Sequence, residues 1–317
     1  MAAVLPAGRL VYGMQLPVQA QSTIFVEPWE ADAGADALGA IARAADEAGF
    51  WYLAVCDHIA IPKDRATVMG TSWWDTVATL GWLAGITSRT HLLSHVYVPA
   101  YRHPLAVTKA FSTLDAISGG RVVMGVGTGH VESEFEMLGL DFSRRGALLD
   151  EAIDALRTAF ADEFTDLDGP SWPSIGQEVG QRPRPARPGG PPIWVGGSSK
   201  PALRRAAERG DGWLPQGPVT PEIVDFIRTH RRNVRGDEPI DIGALAGEVY
   251  VGTPAWDTGR ACLSGPPGKI AHILSKLHAI GVGQVQVRLR SRSLTELLDQ
   301  IAAFGTEVAP LLPGHDG

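Results

Sequence analysis

The strongest constraint on the fold of this chain is the regular alternation of strand and helix patterns along its 317 residues. Short apolar runs are followed by helical segments, and this succession repeats eight times. Consecutive parallel strands need a crossover between them, so strict alternation predicts a parallel sheet. Eight such units in a chain of this length favour a closed (β/α)8 TIM barrel, and a doubly wound open sheet is the alternative.

The apolar runs predict strands over 9–17, 50–57, 91–99, 121–127, 191–197, 212–215, 240–252 and 282–289. The intervening segments predict helices over 36–50, 73–87, 104–118, 144–161, 201–210, 221–233, 267–281 and 293–305. Ser143 is the expected N-cap of the fourth of these helices. No break in composition divides the chain, so a single domain over residues 1–317 is predicted.

One segment interrupts the alternation. Residues 166–190, "DLDGPSWPSIGQEVGQRPRPARPGG", are rich in proline and glycine and longer than an ordinary connection. Structureless segments of this length in a compact domain are usually functional or mobile. We expect an insertion that acts as a lid over the carboxyl-end face of the barrel, and a disordered insertion is the alternative.

Composition excludes several classes of protein. The 28 basic and 35 acidic residues give a net charge of −7 and are interspersed, which argues against nucleic acid or an acidic membrane surface as a partner. No apolar run has the roughly 18 residues of a membrane span. The two cysteines, Cys56 and Cys262, lack metal-ligand spacing, which favours a reducing compartment. The first residues do not resemble a signal peptide, so a cytoplasmic location is expected.

Two titratable residues follow the second predicted strand, in "WYLAVCDHIAIP" at 51–62. In a TIM barrel the active site lies at the carboxyl ends of the strands, which is where Asp57 and His58 would emerge. Because imidazole titrates near neutral pH, His58 is the first candidate for a catalytic acid or base. The alternative is that Asp57 caps a turn and His58 is a satisfied residue at the rim.

Other strand ends carry polar side chains and glycines. The third strand ends near Ser94, His95 and Tyr97, and two glycine-rich turns follow later strands, with Gly125, Gly127, Thr128, Gly129 and His130 in one and Gly196, Gly197, Ser198 and Ser199 in the other. A glycine-rich turn that opens a helix exposes backbone N–H groups that bind phosphate. A tight turn with a serine N-cap is the alternative. "GVGTG" follows the fourth strand, which argues against a Rossmann dinucleotide site.

Three further chemistries are disfavoured. His58, His95 and His130 would converge at the strand ends, but no HxH or HExxH spacing supports a metal, and none is expected. No GxSxG elbow supports a serine hydrolase. The strand ends hold few carboxylates for glycosidase chemistry, and Glu132 and Glu134 are expected to be solvated acids at a helix start.

Four stretches together resemble the bacterial luciferase-like superfamily, and within it the F420-dependent oxidoreductases. They are "AADEAGFWYLAVCDH", "YRHPLAVTKAFSTLDAISGGRVVMGVGTG", "EFEMLGLDFSRRGALLDEAIDAL" and "PPIWVGGSSKPALRRAAERGDGWLP". Their order and spacing agree with that family from about residue 10 to 215. The resemblance implies a barrel that binds a flavin or deazaflavin at its carboxyl-end face, a non-prolyl cis peptide at His95-Val96, and a homodimer.

The Asp57-His58 pair is similar to that of relatives that use coenzyme F420, whereas FMN monooxygenases of the superfamily more often carry Glu-His-His there. The resemblance therefore implies hydride transfer between deazaflavin C5 and a small organic substrate, with His58 and then His130 as acid or base. An FMN-dependent monooxygenase and a barrel without catalysis are the alternatives. The implied cofactor-binding residues are Asp57, Ser94, His95, Val96, Gly125, Gly127, Thr128, Gly129, Gly196, Gly197 and Ser198. The expected substrate-binding residues are Gln15, Trp73, Tyr97 and Trp172.

Overall fold

The structure, a computed structural model, describes residues 4–23 and 25–315. In chain order the strands are β1 (Val11–Gln15), β2 (Tyr52–Val55), β3 (His91–Ser94), β4 (Val122–Val126), β5 (Phe164–Thr165), β6 (Val179–Gly180), β7 (Ile193–Gly196), β8 (Gly212–Leu214), β9 (Asp241–Val251), β10 (Leu263–Gly265) and β11 (Gln284–Leu289). Eight of them pair in parallel in the order β1-β2-β3-β4-β7-β8-β9-β11, and β11 pairs with β1 to close the barrel. The predicted TIM barrel is confirmed.

The helices surround this barrel. In chain order they are α1 (Ala35–Glu47), α2 (Ala66–Met69), α3 (Thr76–Ile86), α4 (Pro104–Ile117), α5 (Glu132–Met137), α6 (Arg145–Ala161), α7 (Lys200–Arg209), α8 (Pro221–Arg235), α9 (Pro267–Ala279) and α10 (Leu294–Ala303). Each predicted helix is present, with ends that differ by a few residues. The short helices α2 and α5 are additions in the loops at the carboxyl-end face.

The N-cap predicted at Ser143 is wrong. A short 3-10 turn over Phe142–Arg144 precedes α6, and Ser143 lies inside that turn. The side chain of Asp141 accepts a hydrogen bond from the Ser143 backbone N–H at 2.8 Å. A carboxylate placed one residue before the turn therefore takes the capping role, and α6 begins two residues later than Ser143.

Aromatic side chains fill the lower part of the barrel. The inward cluster contains Tyr52, Ala54, Leu93, Val123, Trp194 and Leu214. Tyr52 donates its hydroxyl hydrogen to Gln284 Oε1 at 2.9 Å, and Trp194 donates its indole N–H to Asp241 at 3.2 Å. A larger apolar layer packs between the outer side of the strands and the helices. Because large rings occupy the interior below, polar inward residues lie above them, near the carboxyl ends of the strands.

The insertion at 166–190 is confirmed, and its second half is hydrogen-bonded to the outer helices α4 and α6. Gln181 bonds Leu105 and Thr108 of α4, and Arg184 bonds the carbonyls of Ala159 and Phe160 at the end of α6. At its tip, Ser171 and Trp172 line a cavity of about 480 Å³ together with residues 100–103 of the loop after β3. The action as a lid stays a prediction.

No helix among the described residues combines the length and the hydropathy needed to cross a membrane.

Asp46 in the last turn of α1 holds the turn between α3 and β3. Its buried carboxylate accepts hydrogen bonds from the backbone N–H groups of Ser88, Arg89 and Thr90 and from the Ser88 hydroxyl, at 2.7–3.0 Å. Burial alone would raise the pKa of Asp46, but these hydrogen bonds outweigh it and hold the pKa below its usual value. Asp46 therefore stabilises the fold in its ionised form.

We predict that Asp46→Asn lowers the free energy of unfolding at pH 7 by about 1–3 kcal/mol, because hydrogen bonds to a charged acceptor are lost. Since the folded pKa is the lower one, this stability is present above the unfolded pKa, near 4, and is lost as the pH falls through the folded pKa. Urea unfolding at pH 7 and pH 3 should show the two proteins converging at acid pH. Asp237→Asn, at an exposed position, is the control, and equal effects of both substitutions would contradict the assignment.

Candidate functional site

His58 and Glu134 form a hydrogen-bonded pair at the carboxyl-end face. His58 Nδ1 lies 2.8 Å from Glu134 Oε2. A carboxylate only accepts hydrogen bonds, so Nδ1 carries the hydrogen and the lone pair of neutral His58 lies on Nε2. Nε2 is therefore the ring nitrogen left for chemistry at the barrel mouth, and it is a proton acceptor when the ring is neutral.

Glu134 is buried, so its prediction as a solvated acid is wrong. Its side chain is 1% exposed, and Oε1 accepts from the backbone N–H of Ile59 at 2.8 Å. The Tyr101 hydroxyl lies 3.4 Å from Oε2. Burial favours the neutral acid, but the hydrogen bond and charge of His58 and the N–H groups outweigh it, so the pKa of Glu134 lies below its usual value. Glu132, two residues earlier on α5, is exposed as predicted.

Two rings flank His58. The Trp73 ring centroid lies 4.3 Å from that of His58, and the exposed ring of His130 lies 5.5 Å away. Partial burial and the nearby His58 lower the pKa of His130. The Trp73 Nε1–H is buried and has no hydrogen-bond partner among the described residues. Three residues predicted for the site, His58, Trp73 and His130, are therefore brought together.

Asp57 is bound within the protein. Its carboxylate accepts from Arg102 Nη1 at 2.7 Å, from Arg102 Nη2 at 2.9 Å and from the Val98 backbone N–H at 2.9 Å. The Arg102 guanidinium also lies over the Tyr97 ring, 4.4 Å from its centroid. Asp57 thus anchors the loop after β3, and its contact with a cofactor stays a prediction.

The peptide bond between His95 and Val96 is cis, at the position that the resemblance implies. His95 Nδ1 lies 2.6 Å from Gln286 Oε1, and the Val96 side chain lies between two glycines. A Cβ atom built on Gly127 would meet Val96 Cγ2 at 2.5 Å, and one on Gly196 would meet Val96 Cγ1 at 2.7 Å. Both glycines are therefore required by the packing of Val96, whether or not a phosphate approaches their backbone.

Two predicted contact residues lie in the wall and do not face the mouth. Ser94 is fully buried and donates its hydroxyl hydrogen to the Gly125 carbonyl at 2.9 Å. Tyr97 is 2% exposed and packs against Phe111 of α4, with ring centroids 5.0 Å apart. The substrate contact predicted for Tyr97 is corrected, because its side chain extends to the outer layer. Ser94 therefore links β3 to the backbone of β4.

The second glycine-rich turn leads into the ten-residue helix α7. Gly197 has φ +118°, a conformation that other residues rarely adopt, and its carbonyl accepts from Trp213 Nε1 at 2.7 Å. Ser199 is the N-cap, and the Ser198 hydroxyl oxygen accepts from the Gln216 backbone N–H. Because α7 follows β7, its first turn lies at the carboxyl-end face of the barrel, and phosphate binding there stays a prediction.

The residues at the mouth fit a flat cofactor ring. The partly exposed side chain of Val96, packed against Gly127 and Gly196, offers an apolar surface. The unpartnered Trp73 Nε1–H and Nε2 of His58 are polar groups at the same end of the barrel, since His58 follows β2 and Val96 follows its neighbour β3. A flavin or deazaflavin has apolar faces and hydrogen-bonding edges, so this combination of surfaces matches it.

The two remaining predicted residues lie in different places. Gln15 ends β1 and donates a hydrogen bond to Cys56 Sγ at 2.9 Å, two residues before His58, while Trp172 lies at the tip of the insertion. Burial raises the pKa of the Cys56 thiol to about 12, which agrees with an inert residue in the wall. Sequence reasoning missed the contacts of Glu134 and Tyr101 with this site, and no local pattern in the sequence indicates them.

Comparison with known proteins places these features in a family context. A family model described as luciferase-like monooxygenase matches residues 14–283. An uncharacterised protein of Mycobacterium tuberculosis is 30% identical over 230 residues, which cover 66% of this chain and 74% of that protein. An F420-dependent glucose-6-phosphate dehydrogenase of Kribbella flavida is 29% identical over 143 residues, covering 43% of this chain and 41% of that enzyme.

Similarity to solved structures concerns the fold. The oxygenating constituent of 3,6-diketocamphane monooxygenase from Pseudomonas putida, in complex with FMN, superimposes with a TM-score of 0.70 at 14% identity. The match covers 96% of this chain and 98% of that one. Proteins similar to this chain therefore include users of F420 and of FMN.

Proposed function

The chain belongs to the luciferase-like monooxygenase family, and we propose that it is an oxidoreductase dependent on coenzyme F420. Members of this family are oxidoreductases or monooxygenases. The observation that carries the proposal is the His58–Glu134 pair after β2, at the same end of the barrel as Val96 after the neighbouring strand β3. It supplies a proton donor or acceptor at the face where we propose that the flat ring binds.

The bound deazaflavin would supply the hydride transfer, a two-electron step at one ring carbon. The protein's task is to place the substrate and to move a proton. His58 gives a proton from Nε2 when a carbonyl or enone is reduced, and takes one there when an alcohol is oxidised. The other ring nitrogen keeps its hydrogen bond to Glu134 in both forms, so the ring does not turn during the reaction.

Glu134 acts through His58 as a positioning residue. Its carboxylate fixes the tautomer and stabilises the protonated imidazole. The residues proposed to hold the cofactor are Val96 under the ring, the loop 125–129, and the turn 196–198 at the start of α7. These assignments rest on the shape of the mouth and on the family resemblance.

FMN is the second candidate cofactor, because a protein of the same fold contains it. We predict that titration of the purified protein, followed by tryptophan fluorescence, gives tight binding of F420 and weak binding of FMN. Trp73, one of the nine tryptophans, lies beside His58, and a cofactor ring bound there would quench the fluorescence of Trp73. A clear preference for FMN would refute the F420 proposal and indicate a monooxygenase that needs reduced flavin.

We predict that His58→Ala lowers turnover by about 10²–10⁴-fold, the usual contribution of a general acid or base, while the affinity for the cofactor changes little. Glu134→Gln should move the limb of the pH–rate profile that reports His58 to lower pH, because the protonated ring loses its counter-charge. The measurements are steady-state rates with the best substrate of a screen, and cofactor binding for each variant.

Glu132→Gln is the matched control, since it removes an exposed carboxylate from the same helix. It should leave the pH–rate profile unchanged. A fall in turnover and in cofactor affinity to the same extent in His58→Ala would assign His58 to cofactor positioning, and an unshifted profile in Glu134→Gln would remove its proposed role.

We also propose a homodimer that acts on a small molecule in the cytoplasm. The outer side of α3 is uncharged and exposes Ala78, Trp82 and Gly85, with Trp82 packed on Gly39 of α1. Small residues permit close approach of a second copy. We predict that light scattering gives a dimer mass that Trp82→Glu reduces to that of a monomer, while Ile117→Glu, an exposed residue of α4, leaves it unchanged. A monomeric parent would contradict this proposal.

A further inference from the structure

Arg288 lies on the inner side of the barrel at the carboxyl end of β11. Gln284 and Gln286 precede it at alternate positions and both point inward, toward Tyr52 and His95. Because alternate residues of a strand share a face, Arg288 also points inward, one layer nearer the mouth. It is placed at the same opening as His58.

The wall between Arg288 and His58 is short. Gly13 of β1 pairs with Gln286, so Gln15, two residues later, is level with Arg288. Gln15 in turn bonds Cys56, which precedes His58 by two residues. Two strand spacings separate β11 from β2, about 10 Å, so one small molecule can touch both Arg288 and His58.

The space in front of Arg288 is open and partly apolar. Leu245 pairs with Gln286 on the inward face of β9, and its side chain is 41% exposed. Phe25 is 59% exposed, and its ring centroid lies 5.8 Å from the guanidinium carbon of Arg288. An inward leucine this exposed indicates that the space in front of it is not filled by protein. Leu245 and Phe25 are the apolar side chains that line this space.

Arg288 has hydrogen-bonding capacity to spare. Its Nη1 donates to Glu248 Oε1 at 3.2 Å, while the other oxygen of Glu248 accepts from Arg290 Nη1 at 2.8 Å. Arg290 is also bonded to Glu27 and to the Thr258 carbonyl. Glu248 therefore keeps a cationic partner if Arg288 turns to a ligand, and the side chain of Arg288 is 31% exposed.

We propose that the substrate carries a carboxylate and that Arg288 binds it, with the apolar body of the substrate against Leu245 and Phe25 and its reacting carbon toward His58. This inference rests on the proposed function and names the substrate class for that same site. A guanidinium fork matches the planar geometry of a carboxylate.

Charge balance favours a carboxylate over a phosphate ester. The two arginines, Arg288 and Arg290, are matched by two carboxylates, Glu27 and Glu248, within the same network. A monoanion adds one negative charge beside those carboxylates, and a phosphate dianion adds two. The larger repulsion selects against the dianion.

The test is calorimetric titration of the protein with benzoate, benzamide and phenyl phosphate. It is made on the protein as purified and on the protein saturated with whichever of F420 and FMN it binds. Benzoate and benzamide share a ring and differ in charge. We expect benzoate to bind about tenfold or more tightly than benzamide, the effect of a charge-assisted hydrogen bond, and more tightly than phenyl phosphate.

The preference for benzoate should disappear in Arg288→Met and persist in Arg292→Met. Arg292 is the control because its side chain is 55% exposed and paired with Glu296 of α10. Glu248→Gln should strengthen benzoate binding, because it frees Arg288. This gain of affinity is a readout that misfolding cannot produce.

Absence of benzoate binding, equal binding of benzoate and benzamide, or an unchanged preference in Arg288→Met would overturn the proposal. Tighter binding of phenyl phosphate would overturn the choice of carboxylate. Because binding is measured without turnover, a protein that binds F420 but not benzoate refutes only this inference. A protein that binds benzoate and prefers FMN refutes only the proposed cofactor.

Discussion

The pairing of β11 with β1 closes the barrel, and the arrangement of the mouth depends on that closure. It brings Gln15 level with Arg288 and places β2, with His58 after it, two strands from β11. All eight strands are parallel, so their carboxyl ends meet at one face. Residues from the first and last parts of the chain thereby share a single opening.

A second organising feature is the loop after β3, which holds both acids near the site. Val98 and Arg102 bind Asp57, and Tyr101 contacts Glu134. Both carboxylates thus accept hydrogen bonds from one short segment, and this segment packs on the apolar layer of α4 and α6. Charged groups held in this way are oriented before any ligand binds, which lowers the cost of arranging them during a reaction.

The glycines at the mouth illustrate how one residue type serves two requirements. The sequence pattern indicated phosphate binding at 125–129 and 196–198. The structure adds that Gly127 and Gly196 leave room for Val96. A larger residue at either position would disturb the wall itself, so a loss of cofactor binding in such a variant would have two causes. Substitutions at His58, Glu134 and Arg288 are cleaner tests because they alter polar groups.

The sequence by itself determined the barrel, the order of its elements, the cis peptide position and the place of His58 after β2. Each follows from local pattern or from short stretches that resemble one family. Only the tertiary structure decided the partners. Glu134 was predicted to be a solvated acid because a helix start usually lies at the surface. In the structure α5 places its buried carboxylate 2.8 Å from His58 Nδ1. The orientation of Tyr97 toward Phe111 of α4 was not predictable for a similar reason, since the face that a side chain occupies depends on strand register and twist, which distant pairings fix.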